Sequence, residues 1–130
     1  MNRKYIMIAS AIVMGLSGLA ASFLPVKILM NAGISSNETL ILFVQVTGAL
    51  YLGFAMMNWM AKTVLIGGIY ARPLAMGNFT HFVIAAITLL KVATNHSVSP
   101  YLWVATIIYS IFASLFGIIL FTSPVKKTNN

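Results

Sequence analysis

Cysteine is absent from the 130 residues, and a single acid, Glu38, stands against eight lysines and arginines. The first absence removes disulfides, thiolate nucleophiles and cysteine metal sites. The second removes paired carboxylates for general acid–base work, a two-carboxylate metal site and an ion-coupling carboxylate inside a membrane. Histidine is scarce too: His81 and His96 are expected on opposite sides of a membrane, so they do not converge on zinc. No serine has a convincing base and orienting acid. The chain is therefore read as no enzyme, with no metal and no cofactor. Charge of either sign is sparse, at 7% of residues, so a long solvated domain is not expected within the sequence.

Hydrophobic residues make up 60% of the chain, and its mean hydropathy is +0.96. These values point to an integral membrane protein. Crossing a hydrocarbon layer of ~30 Å takes roughly 20 apolar residues per helix. Apolar runs at about 5–24, 39–58, 74–93 and 101–122 meet that length. The expected architecture is all-α, one domain over 1–130, a polytopic membrane protein folded as a four-transmembrane-helix bundle. The first run is too long for a signal peptide core and leads into another apolar turn, so it is read as a span.

The basic residues sit singly or in pairs at the ends of these runs. Arg3, Lys4, Lys62, Arg72, Lys126 and Lys127 fall on one side, Lys27 and Lys91 on the other. This is positive-inside patterning, which places both termini in the cytoplasm and argues against nucleic acid as a partner. Pro25 ends or kinks the first helix, and Val26 to Met30 should lie at the interface before a turn at Asn31 and Gly33. Ser35 and Glu38 have capping-box spacing, which makes Glu38 a cap for the second span. Trp59 to Arg72 reads as an interfacial connector, with Gly67 and Gly68 in its middle, and Pro73 and Pro100 open the third and fourth spans.

Each span carries a small or polar stripe at helical spacing. The stripes are Ala11, Gly15, Gly18 and Ser22 in the first and Gln45, Gly48, Ala49, Gly53 and Met56 in the second. In the third and fourth they are Ala75, Asn78, His81, Ala85 and Thr88, then Thr106, Ser110, Ala113 and Gly117. Lipid tails solvate leucine and phenylalanine, whereas small residues let backbones approach, so these stripes are expected to face other helices. Gly15, Gly18, Gly48, Gly53, Ala113 and Gly117 are the expected packing positions. Asn58, Asn78 and His81 fall at similar depth near the cytoplasmic side and Gln45 lies toward the other face, together forming a candidate polar intramembrane site. Two readings of His81 stay open, contact with a ligand and a hydrogen bond that holds helices together.

Several local runs carry a family resemblance. Phe23-Leu24-Pro25, the turn from Ile28 to Gly33, Gly48-Ala49-Leu50-Tyr51-Leu52-Gly53 and Arg72-Pro73-Leu74 follow one another. In this order they resemble small uncharacterised four-helix bacterial membrane proteins grouped near the DoxX-like families. The resemblance implies the architecture and no activity. Small multidrug transporters need a carboxylate in the first helix, which this chain lacks, and the glycine-rich and asparagine-rich patterns of fluoride channels are missing. The expected function is that of an accessory subunit or small homo-oligomer acting through contacts with other membrane helices in the lipid bilayer. The alternative is a pore or carrier for a neutral or anionic small solute.

Overall fold

The computed structural model describes residues 3–63, 71–95 and 99–122. Gly67, Gly68 and Tyr70 of the connector, His96 and the tail from Lys126 to Asn130 lie outside the described residues. Five helices occupy the described chain, with no strand: α1 (Arg3–Phe23), α2 (Pro25–Asn31), α3 (Glu38–Ala61), α4 (Ala71–Asn95) and α5 (Pro100–Thr122). Four of them, α1, α3, α4 and α5, are long and apolar enough to cross a membrane. The chain divides into two compact units, Met1–Thr63 and Val64–Asn130. In the first α1 pairs antiparallel with α3, and in the second α4 pairs with α5.

The break after α1 has a local cause. Leu24 precedes Pro25, and the proline ring disfavours helical geometry at the residue before it. Leu24 accordingly leaves the helical region, at φ −126° and ψ 40°, and α2 restarts with Pro25 in its first turn. The segment expected to lie at the interface is thus a helix of seven residues, with Leu29 buried and Lys27 exposed. It closes through a Schellman motif: the Gly33 amide bonds the Met30 carbonyl and the Ile34 amide bonds the Leu29 carbonyl, both at 3.0 Å. Gly33 sits at φ +72°, a backbone state that a Cβ penalises.

The capping box expected from Ser35 does not form. Asn37 is the N-cap of α3, and its Oδ1 accepts from the Leu40 amide at 2.8 Å. The helix starts at Glu38, so Ser35 is too far upstream to reach the free amides, whereas asparagine caps as well as serine does. Glu38 instead lies in the first turn, where a carboxylate faces the positive end of the helix dipole. α3 runs on to Ala61, past the expected end at Asn58, which puts Asn58 inside the helix. Lys62 folds back so that its Nζ lies 3.3 Å from the centroid of the Trp59 ring.

Candidate functional site

The first hairpin is set by one close backbone crossing. A Cβ added to Gly48 would lie 2.7 Å from the Ser22 amide nitrogen and 2.9 Å from the Gly18 carbonyl oxygen. One added to Gly18 would lie 2.9 Å from the Gly48 carbonyl oxygen and from the Leu52 amide nitrogen. Glycine at both positions lets the two backbones touch, and that contact fixes which face of each helix is inside. On α3 the inner face is Gly48, Ala55 and Asn58, with Val44 and Leu52 at its margins.

That face differs from the expected stripe. Gly53 is exposed and a Cβ there meets nothing within 4 Å, and Ala49 and Met56 are exposed as well. Gly53 is therefore not a packing position of this hairpin. The physical reason is angular: once Gly48 sits at the crossing, positions four and seven residues on share its face, while 49, 53 and 56 rotate off it. Gly15 is looser than Gly18, since its Cβ would make an ordinary 3.6 Å contact with Ala55. Gln45 is exposed, and its Nε2 donates a long 3.5 Å bond to the Ser22 carbonyl.

Deeper in the same hairpin, Asn58 and Ser10 are both fully buried. Asn58 Nδ2 donates to Ser10 Oγ at 3.1 Å, and Ser10 Oγ donates in turn to the Met7 carbonyl at 3.0 Å. The chain of bonds ties α3 to α1 and ends on helix backbone. Sequence reading singled out Asn58 and passed over Ser10; the spacing of Ser10, Met14 and Gly18, two steps of four, is the signal that places Ser10 on the inner face. A double-mutant cycle on Asn58→Ala and Ser10→Ala is expected to give a coupling energy of roughly 1 kcal/mol in detergent unfolding. Strictly additive losses would show that the bond contributes nothing.

The second hairpin is built on rings, not on the expected small stripe. Phe82 of α4 and Phe116 of α5 are completely buried and nearly parallel, 5.6 Å between centroids at 12°. Phe112 stacks on Phe82 from α5 at 5.0 Å, and Tyr109 meets it edge-on at 5.4 Å. The inner face of α4 runs through Ala71, Ala75, Asn78, Phe82, Ala86 and Ala93. Ala75 and Asn78 belong to the expected stripe, whereas Thr88 is exposed and His81 and Ala85 lie at the margin. On α5, Thr106 is buried, while Ser110, Ala113 and Gly117 are half-buried beside the phenylalanines. Gly117 still has a packing role, because its missing side chain leaves room for the Phe79 ring, 3.1 Å from where a Cβ would stand. The i, i+4 pair Phe112 and Phe116 was the signal for this core; one large ring on each of two successive turns fills the space that small residues leave open.

His81 turns its ring toward Tyr109 of α5, 5.9 Å between centroids, and toward the neighbouring Phe82 at 5.2 Å. Asn78, one turn away and fully buried, donates from Nδ2 to the Leu74 carbonyl at 2.9 Å. Of the candidate polar residues, Asn58 lies with Ser10 in the first unit, and Asn78 and His81 lie one turn apart in the second. Most hydroxyls of the long helices are spent locally. Thr47, Thr88, Thr106, Ser110 and Thr122 each donate to the carbonyl four residues back. That bond satisfies each hydroxyl within its own helix. Among the described residues no three His, Cys, Asp or Glu side chains gather in one place. No family model, curated protein or solved structure matches the chain.

Proposed function

We propose that this is a multi-pass cell-membrane protein, both termini cytoplasmic, whose four long helices form one bundle and act through helix contacts as an accessory subunit or homo-oligomer. The observation that carries this reading is the Asn58–Ser10 pair. Two buried polar side chains between the helices of a hairpin bond each other and end on backbone, which is how polar groups hold membrane helices together. A path for a solute would instead leave such groups facing a water-filled space. The apolar side chains that α3 exposes, among them Leu42, Phe43, Val46, Leu50 and Met57, suit lipid or another helix equally. The likeness to small DoxX-related proteins adds to the architectural part of the proposal alone.

A second reading, a pore or carrier for a neutral or anionic small solute, draws on the excess of basic residues and the single acid. Reconstitution separates the two. The purified chain in liposomes is expected to pass neither chloride nor glycerol above the empty-vesicle rate, and to assemble at a fixed stoichiometry in single-molecule photobleaching. Flux that disappears in His81→Gln or Asn78→Leu, with the helices still folded, would replace this reading by the second.

Topology supplies an independent check. Reporter fusions are expected to place residues 1–4, 60–72 and 125–130 inside, and 27–37 and 94–99 outside, following six basic residues against two. Termini on opposite sides would mean that one long helix does not span.

A further inference from the structure

One groove of about 470 Å³ lies along the first hairpin, within the usual size range of a ligand pocket. It is lined by Ser17 and Ala20 of α1, Phe43 and Tyr51 of α3 and Ile28 of α2. From Leu40 to Tyr51 the lining follows α3 for about three turns, roughly 16 Å at ~1.5 Å per residue. That is about half of a ~30 Å hydrocarbon layer, the depth of one leaflet. A spanning helix needs the whole layer, whereas an acyl chain needs one leaflet. Lys27 precedes the lining residue Ile28 on α2, is exposed, and makes no salt bridge among the described residues. Lys27 does not line the groove; where α2 lies at the interface, its long side chain extends from the residue before Ile28 to headgroup level, and a phosphate is the charge that complements it.

We propose that the groove seats one acyl chain of an anionic glycerophospholipid, with Lys27 engaging its phosphate. The proposal rests on the membrane reading above and adds a specific lipid site to it. Thr47 lines the groove from an exposed position, so tryptophan there fills the slot without entering the α1–α3 contact.

The test reconstitutes the full chain in phosphatidylcholine vesicles holding a phosphatidylglycerol with a diazirine in mid-chain. Light-induced adducts are mapped by mass spectrometry. Adducts are expected to concentrate several-fold on Ser17, Val44 and Tyr51 over the outward Leu50 and Met57, and to leave the groove in Thr47→Trp while circular dichroism is unchanged. In Lys27→Gln, groove labelling should fall about fivefold, toward that of a matched phosphatidylcholine probe. Even labelling of all apolar positions, which is ordinary boundary lipid, would overturn the site. So would a bare groove beside labelled outward faces, which means that a helix of this chain or of a second copy covers it. Absence of adducts on every helix would overturn the membrane reading as well.

Discussion

Gly48→Leu is expected to unfold the first hairpin or weaken it by more than about 3 kcal/mol, beyond the ~1–3 kcal/mol common for overpacking. The excess comes from what the new side chain meets. Ser22 Oγ can rotate away, but the Ser22 amide nitrogen at 2.7 Å and the Gly18 carbonyl at 2.9 Å are backbone and move only if the helices part. Parting them also breaks the register that brings Asn58 to Ser10. Even Gly48→Ala places its Cβ inside those distances, so alanine should already cost stability. Gly53→Leu is the matched control: it is exposed, meets open space, and is expected to change stability by under ~0.5 kcal/mol. Detergent-titrated unfolding followed by circular dichroism measures both. Similar losses for Gly48→Leu and Gly53→Leu would remove the backbone crossing as the organising contact of α1 and α3.

The second large effect is expected in the other hairpin. Phe82→Ala should cost about 3–5 kcal/mol, the range for deleting a buried phenylalanine. Phe82 touches the rings of Phe112, Phe116 and Tyr109 together, so its loss empties the centre of the α4–α5 contact. In the bilayer of the proposed function there is no hydrophobic drive between helices, so the loss is one of dispersion contacts and ring geometry. It should therefore respond to the shape of the replacement: Phe82→Leu recovers part of the stability, and Phe82→Ala little. Ile87→Ala on the exposed face of α4 is expected to stay under ~1 kcal/mol. If Ile87→Ala and Phe82→Ala shift the unfolding midpoint alike, the rings are not the core of this hairpin.

These two cores differ in kind, and only the structure shows it. Small-residue stripes were visible in all four long helices, yet each marks the contact only in part: Ala11 and Gly18 of α1, Gly48 of α3, Ala75 and Asn78 of α4 and Thr106 of α5 are buried, whereas Gly53 and Thr88 are exposed. Gly18 and Gly48 approach until their backbones touch, whereas Gly117 makes room for a ring. Of the candidate polar residues, Asn58 found its partner in Ser10, which no motif announced. His81 found aromatic neighbours, Tyr109 and Phe82, in its own hairpin.

The sequence by itself determined the helical class, the number of long apolar segments and most of their ends. Those features follow from local chemistry: runs of apolar residues long enough to span, prolines that break or start a helix, and Gly33 at a turn with positive φ. It did not determine which face of each helix turns inward, it misplaced the cap at Ser35, and it put on one stripe with Gly48 a Gly53 that takes no part in the α1–α3 contact. In a soluble protein the apolar side names the inner face, but α3 is apolar nearly all round, so composition points nowhere. The choice was left to tertiary contact, to the one crossing where Gly18 and Gly48 let two backbones meet and to the stack where Phe82 and Phe116 fill the gap between α4 and α5. Close packing depends on the shape of both partners at once, and a single helix read alone contains only one of them.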